Sequence, residues 1–215
     1  MRDDYTDITV ILDRSGSMTN IKSDMEGGFN ELVRSQKEVP GKALLTLIQF
    51  DDQYQVDCAA MDIRLVPPLR LIPRGSTALY DAIGKTIVRT GDRLRSIQEK
   101  DRPSKVLVVI LTDGEENSSR EYTRGKVFEM ITHQKEKYGW EFIYMGANQD
   151  ALKVGASFGI SQEYSMTFAA NSVGTGLAYD SFSSGVTNLR SASYVSGQGF
   201  FTADDRAQQT TAGVK

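Results

Sequence analysis

Among its 215 residues the chain has one cysteine, Cys58, one histidine, His133, and one tryptophan, Trp140. A lone cysteine excludes an internal disulfide and any thiolate metal cluster, and it fits a reducing compartment. His133 lies on a segment rich in Lys and Glu, distant in sequence from other chemistry-bearing residues. It reads as solvated surface, and its isolation removes the usual general base. Excess positive charge is lacking too: 25 Lys and Arg stand against 28 Asp and Glu, for a net charge of -3. That balance excludes a global basic footprint for a nucleic-acid backbone, and the cations between Arg93 and Lys105 alternate with acids as on a solvated face. No apolar run is long enough to span a bilayer, and the opening Met-Arg-Asp-Asp passes into a strand without the apolar core of a signal peptide. A cytoplasmic location, with neither membrane nor nucleic-acid partners, is the expectation.

What is present is an alternation of short apolar runs and amphipathic stretches. Ile8 to Leu12, Ala43 to Phe50, Val106 to Leu111 and Trp140 to Met145 have the form of strands buried on both faces of a parallel sheet. Between them, apolar stripes at helical spacing join Ile21, Met25, Phe29, Leu32 and Val33; then Leu79, Ile83, Ile87, Leu94 and Ile97; then Val127, Met130, Ile131 and Tyr138. Asp51-Asp52-Gln53 is too short for a crossover, so Tyr54 to Ala60 should return antiparallel at the sheet edge. A short helix from Asp150 to Phe158, a weak strand from Tyr164 to Phe168 and a helix from Val173 to Leu189 follow. The class is α/β, a mostly parallel sheet of about six strands with helices on both faces. The division expected is one domain over 1–190 and a tail over 191–215, whose Ser, Gly, Gln and Thr cannot bury enough apolar surface to stay ordered without a packing contact.

Chemistry concentrates where strands run out. Asp13-Arg14-Ser15-Gly16-Ser17 follows the first buried strand and packs a carboxylate and two hydroxyls into one turn. Gly75-Ser76-Thr77 adds a hydroxyl at the head of a helix, stiffened by Pro67, Pro68 and Pro73, and Thr77 could cap that helix. Leu111-Thr112-Asp113-Gly114 adds a second carboxylate after another buried strand. Hard cations take oxygen donors, and Mg²⁺ wants near-octahedral geometry at roughly 2.0 to 2.1 Å. Asp13, Ser15, Ser17, Thr77 and Asp113 are the candidate oxygen donors for such an ion, with Mg²⁺ expected and Mn²⁺ or Ca²⁺ as alternatives.

In order and position these five residues resemble the metal-ion-dependent adhesion site of von Willebrand factor A domains, over about Asp7 to Phe168. The resemblance implies a Rossmann-like fold whose first and fourth strands are neighbours. It also implies a non-enzymatic, Mg²⁺-dependent protein-binding module, a scaffold or assembly factor, that accepts a partner's Glu or Asp carboxylate at the ion. The chain looks like the small stand-alone intracellular kind found in bacteria and their phages, similar to tellurium-resistance proteins.

Residues on the same rim could set partner choice: Arg14, Gly16, Ser76, Asp81, Glu115, Glu116, Asn117, Asn148, Gln149 and Asp150. Caps and turn formers are the plainer reading of them. Gly84-Lys85-Thr86 echoes the end of a phosphate-binding loop, but Leu79 stands where its first glycine is required and the segment reads as helix interior. Trp140, Phe142 and Tyr144 alternate as core, and Cys58 packs on the edge strand. Phe200-Phe201 and Asp204-Asp205 in the tail raise a homo-oligomer in which a neighbour's site takes one of these carboxylates. The enzyme alternative, a metal-dependent phosphatase-like hydrolase of the haloacid-dehalogenase kind, also places an aspartate after the first strand. It requires a second aspartate two positions on, where this chain has Ser15, and no Gly-x-Ser-x-Gly elbow supports a serine hydrolase.

Overall fold

The computed structural model describes residues 1–191, 193–195 and 197–214. Six strands form one sheet: β1 (Arg2–Asp13), β2 (Lys42–Phe50), β3 (Tyr54–Asp62), β4 (Pro103–Thr112), β5 (Glu141–Ala147) and β6 (Ser165–Phe168), in the order β3-β2-β1-β4-β5-β6. All neighbours are parallel except β2 and β3, whose pairing is antiparallel, as the three-residue connection requires. The helices are α1 (Lys22–Lys37), α2 (Leu79–Arg95), α3 (Arg124–Tyr138), α4 (Ala151–Ser157), α5 (Ser172–Arg190) and α6 (Ala203–Thr211).

α1 and α5 pack together on one face of the sheet, and α2 and α3 pack together on the other. Covered on both sides, the central strands can be apolar at successive positions: Leu107, Val108, Val109 and Ile110 are all 0 % exposed. Each such side chain contributes about 1.5 to 3 kcal/mol by leaving water. The stripes foreseen on the first three helices meet this sheet through Met25, Phe29 and Leu32, through Leu79, Ile83 and Ile87, and through Val127 and Ile131. α2 stops at Arg95, so Ile97 packs from the connection that follows and not from the helix itself.

The tail obtains from the domain the apolar cover its composition lacks. Phe200 and Phe201 are buried, with the Phe200 ring 6.1 Å from that of Phe182 on α5. Thr202 and Asp205 close a capping box at the start of α6, and buried Gln209 accepts the Ala169 N–H and donates to the Gly174 carbonyl. Asp205 also takes the Ser181 hydroxyl at 2.7 Å and the Thr202 hydroxyl at 2.7 Å.

The α1 and α5 layer is locked by a cation at a helix end. Arg190, the last residue of α5, is buried and donates to the carbonyls of Gln36 at 2.6 Å, Val39 at 2.9 Å and Gly41 at 3.3 Å. A guanidinium suits this place because the last carbonyls of α1 lack intrahelical partners and carry the negative end of its dipole. Arg190→Ala should lower unfolding free energy by about 2 to 4 kcal/mol, since it strands several buried carbonyls at once. Urea denaturation measures this; an unchanged midpoint would show the carbonyls to be satisfied otherwise.

Candidate functional site

β1 and β4 run side by side in parallel, with Leu12 paired to Leu111, so both open onto the same edge of the sheet. The chain leaves β1 for β2 on one side, while β4 lies on the other. This reversal of strand order is where open α/β sheets form a crevice. Asp13, Thr112 and Asp113 meet there although most of the first half of the chain separates them.

Asp13 is fully buried. Its Oδ1 accepts the Ser15 backbone N–H at 2.6 Å, and its Oδ2 accepts the Thr112 hydroxyl at 2.6 Å. The Ser15 and Ser17 hydroxyl oxygens are 3.0 Å apart, and Ser17 donates to Asp113 Oδ1 at 2.7 Å. Thr77 arrives from the loop before α2. A β-carbon placed on Gly114 would lie 3.2 Å from Thr77 Oγ1, 3.6 Å from Ser17 Oγ and 3.7 Å from Asp13 Oδ2. All five sequence-predicted residues are thus brought to one place. Thr112 and Gly114 complete it; sequence reasoning quoted both but assigned them no role.

Burial pushes the Asp13 carboxyl up to about 6, against the pull of the Thr112 and Ser15 hydrogen bonds and with some help from the charge on Asp113. Burial raises Asp113 as well, opposed by the Ser17 hydroxyl. Among the described residues neither carboxylate forms an ion pair with a lysine or arginine.

Several rim residues turn out to build the loops. Arg14 does not face outward: it is 5 % exposed and its Nε donates to Asp51 at 3.0 Å. Thr77 does not cap α2, whose N-cap is Ala78 with no side-chain bond. The loop after β4 caps it from outside: Asn117 accepts the Thr77 N–H at 2.9 Å, Glu116 that of Tyr80 at 3.0 Å, and Ser119 that of Asp81 at 3.1 Å. Asp81 answers by accepting the N–H groups of Arg120, Glu121 and Tyr122 at 2.8 to 2.9 Å. Burial alone would raise its carboxyl, but these three bonds prevail and hold it below the usual range.

At the end of β5, Asn148 adopts a left-handed backbone (φ 50°) and accepts the Ala170 N–H, and Asp150 caps α4 through the Lys153 N–H. Gln149 alone of this trio reaches the crevice, donating to the Thr112 carbonyl at 3.3 Å. Gly16 and Glu115 are exposed and Ser76 half-buried, so these remain on the open rim. Gly84 lies inside α2 with the Tyr122 ring against it, where a β-carbon would come within 2.3 Å. Lys85 pairs with Glu121 at 2.7 Å and Thr86 donates to the Ala82 carbonyl, so the Gly-Lys-Thr string is used in packing. His133 is exposed beside the Tyr138 ring.

A carboxyl raised by burial binds its proton more tightly in the folded than in the unfolded chain, so stability of the cation-free protein falls as pH rises from about 4 to about 6 and stays low above. Asp13→Asn removes that charge, and Thr112 can turn its one proton to the Gly114 carbonyl, 3.1 Å away, and accept from the new amide. In chelator at pH 7.5 the variant should be more stable than the parent by roughly 2 to 3 kcal/mol, with the difference vanishing near pH 4. Urea unfolding across pH checks this, and a difference independent of pH would contradict it.

No protein-family model and no curated protein sequence matches the chain. Solved structures do resemble it. Proximal thread matrix protein 1 from the mussel byssus superposes with a TM-score of 0.59 at 16 % identity, over 85 % of this chain and 46 % of that one. A structure of the same mussel protein with a zinc-occupied MIDAS motif gives 0.56 at 17 % identity, over 86 % and 45 %. A von Willebrand factor type A protein from Catenulispora acidiphila gives 0.57 at 11 % identity, over 86 % and 43 %. The chain spans a little under half the length of these structures. At such identities the likeness is one of fold, and the six-stranded sheet with its single antiparallel edge and helices on both faces has the Rossmann-like fold of von Willebrand factor type A domains.

Proposed function

We propose that the chain is a divalent-cation-dependent protein-binding module, a scaffold or assembly factor, whose ion is held by Asp13, Ser15, Ser17, Thr77 and Asp113. The observation that carries this reading is the gathering of two carboxylates and three hydroxyls from three loops around Gly114, with no ion pair to the acids among the described residues. A buried Asp13 beside Asp113 is costly as it stands, and a cation is the simplest compensation. An all-oxygen set lacking His and Cys suits a hard ion, Mg²⁺ foremost, with Mn²⁺ or Ca²⁺ as substitutes. The zinc-occupied MIDAS motif of the similar mussel structure is consistent with a divalent ion.

When bound, the ion supplies a Lewis-acidic point able to accept an anionic oxygen. The residues do the rest. Asp13 and Asp113 provide charge, and Thr112 and the Ser15 N–H orient the Asp13 carboxylate. The three hydroxyls add dipoles without charge, and two aspartates neutralise a divalent ion only where both bind it directly. With one of them acting through water, the ion would still favour an anionic oxygen from a partner. Gly114 keeps the approach clear, and exposed Ser17 marks the side from which a partner's Glu or Asp enters. Ser15 occupies the place where a phosphatase of this topology would need its acid, and it is bonded to Ser17.

Calorimetric titration with Mg²⁺ and Mn²⁺ should show one site, lost in Asp13→Ala and weakened at least about tenfold in Thr77→Val. Partners captured by the parent protein in magnesium should be released by chelator and should not bind Asp13→Ala. Equal capture by both proteins in chelator would sink the reading.

A further inference from the structure

We infer that Asp51, which lies outside the five-residue set, is the positioning residue that holds two of the three loops in register for the ion. The inference rests on the metal reading just given and deepens it. Asp51 begins the turn between β2 and β3, and its carboxylate is buried. Its Oδ2 accepts Arg14 Nε at 3.0 Å and Arg74 Nε at 2.8 Å, while its Oδ1 accepts the Gln53 N–H at 2.6 Å. Its carbonyl accepts the Ala78 N–H at 2.9 Å.

Arg14 stands between Asp13 and Ser15, Ala78 follows Thr77, and Arg74 precedes the Gly75-Ser76-Thr77 turn. One residue therefore grips the chain immediately beside three of the five oxygen donors. The backbone completes the knot: Arg74 N–H donates to the Arg14 carbonyl at 2.8 Å and Arg14 N–H to the Phe50 carbonyl at 2.8 Å. Gly75 turns with φ 67°, and a β-carbon there would meet Asp52 Oδ1 at 3.0 Å and Asp51 Cβ at 3.3 Å, so the loop presses against the Asp51 turn. Two guanidiniums on one carboxylate, with Arg14 Nη2 buried and unpartnered, are a poor way to gain stability alone. They are a good way to fix two loops at one distance.

Hydroxyl donors depend on this. A serine or threonine oxygen brings no net charge to an ion, so its contribution rests on being in place beforehand. Asp81 and the loop after β4 join the Thr77 and Asp113 loops. Asp51 joins the Ser15 and Thr77 loops.

The test is Mn²⁺ binding by Asp51→Asn and Arg74→Gln, read by calorimetry and by the electron paramagnetic resonance spectrum of the bound ion, beside metal-free unfolding curves. Arg74 is half exposed, so its variant remains folded if Asp51→Asn does not, and either one decides. A positioning role predicts affinity reduced about tenfold or more in the folded protein and an altered Mn²⁺ spectrum. Wild-type affinity and spectrum in the variants, with only unfolding displaced, would overturn it and leave Asp51 a stability residue. Absence of Mn²⁺ binding by the unaltered protein would overturn the metal reading, and with it this one.

Discussion

Two carboxylates held at the mouth of one crevice, with no arginine or lysine among the described residues paired to either, are the constraint around which the carboxyl edge of this sheet is organised. Asp13 is there because β1 ends there, and Asp113 is there because β4 is its parallel neighbour in register. Asp13 accepts the Ser15 N–H and the Thr112 hydroxyl, and Asp113 accepts the Ser17 hydroxyl. The Ser15 and Thr112 bonds lower the cost of burying Asp13 but do not cancel it, and its carboxyl remains raised.

The rest of the edge is a scaffold of other carboxylates, each satisfied in a way that Asp13 is not. Asp81 takes three backbone N–H groups, Asp51 takes two guanidiniums and a backbone N–H, and Glu116 takes N–H groups from Tyr80, Ser118 and Ser119. Acids that look alike in sequence thus divide into those that hold loops together and those left with hydroxyls for company. The difference lies in what faces them, since hydrogen bonds to the charged form settle an acid's preference as strongly as burial does.

Much of the fold was legible in the sequence. The uninterrupted apolar run at Val106 to Leu111 needs cover on both sides, and the short Asp51-Asp52-Gln53 link admits only a hairpin. The tail was less so. Its helix forms where Thr202 and Asp205 cap it and where Phe200 and Phe201 find α5, contacts that a composition rich in Ser and Gly does not announce. Which partner Arg14 would take was equally illegible: it lies with the turn carrying Asp51, 37 residues away, and that turn draws it inward.

By itself the sequence determined the alternation of strands and helices and the types of donor available at three strand or helix ends. Local spacing carries both kinds of information, because periodicity reports burial and side-chain type reports chemistry. That the three ends form one place was decided by tertiary structure alone, through the adjacency of β1 and β4 and through carboxylates such as Asp51 and Asp81 that bind loops distant in the chain. Strand order and the partner of a buried charge are set by packing between remote segments, and no window along the chain contains both sides of such a contact.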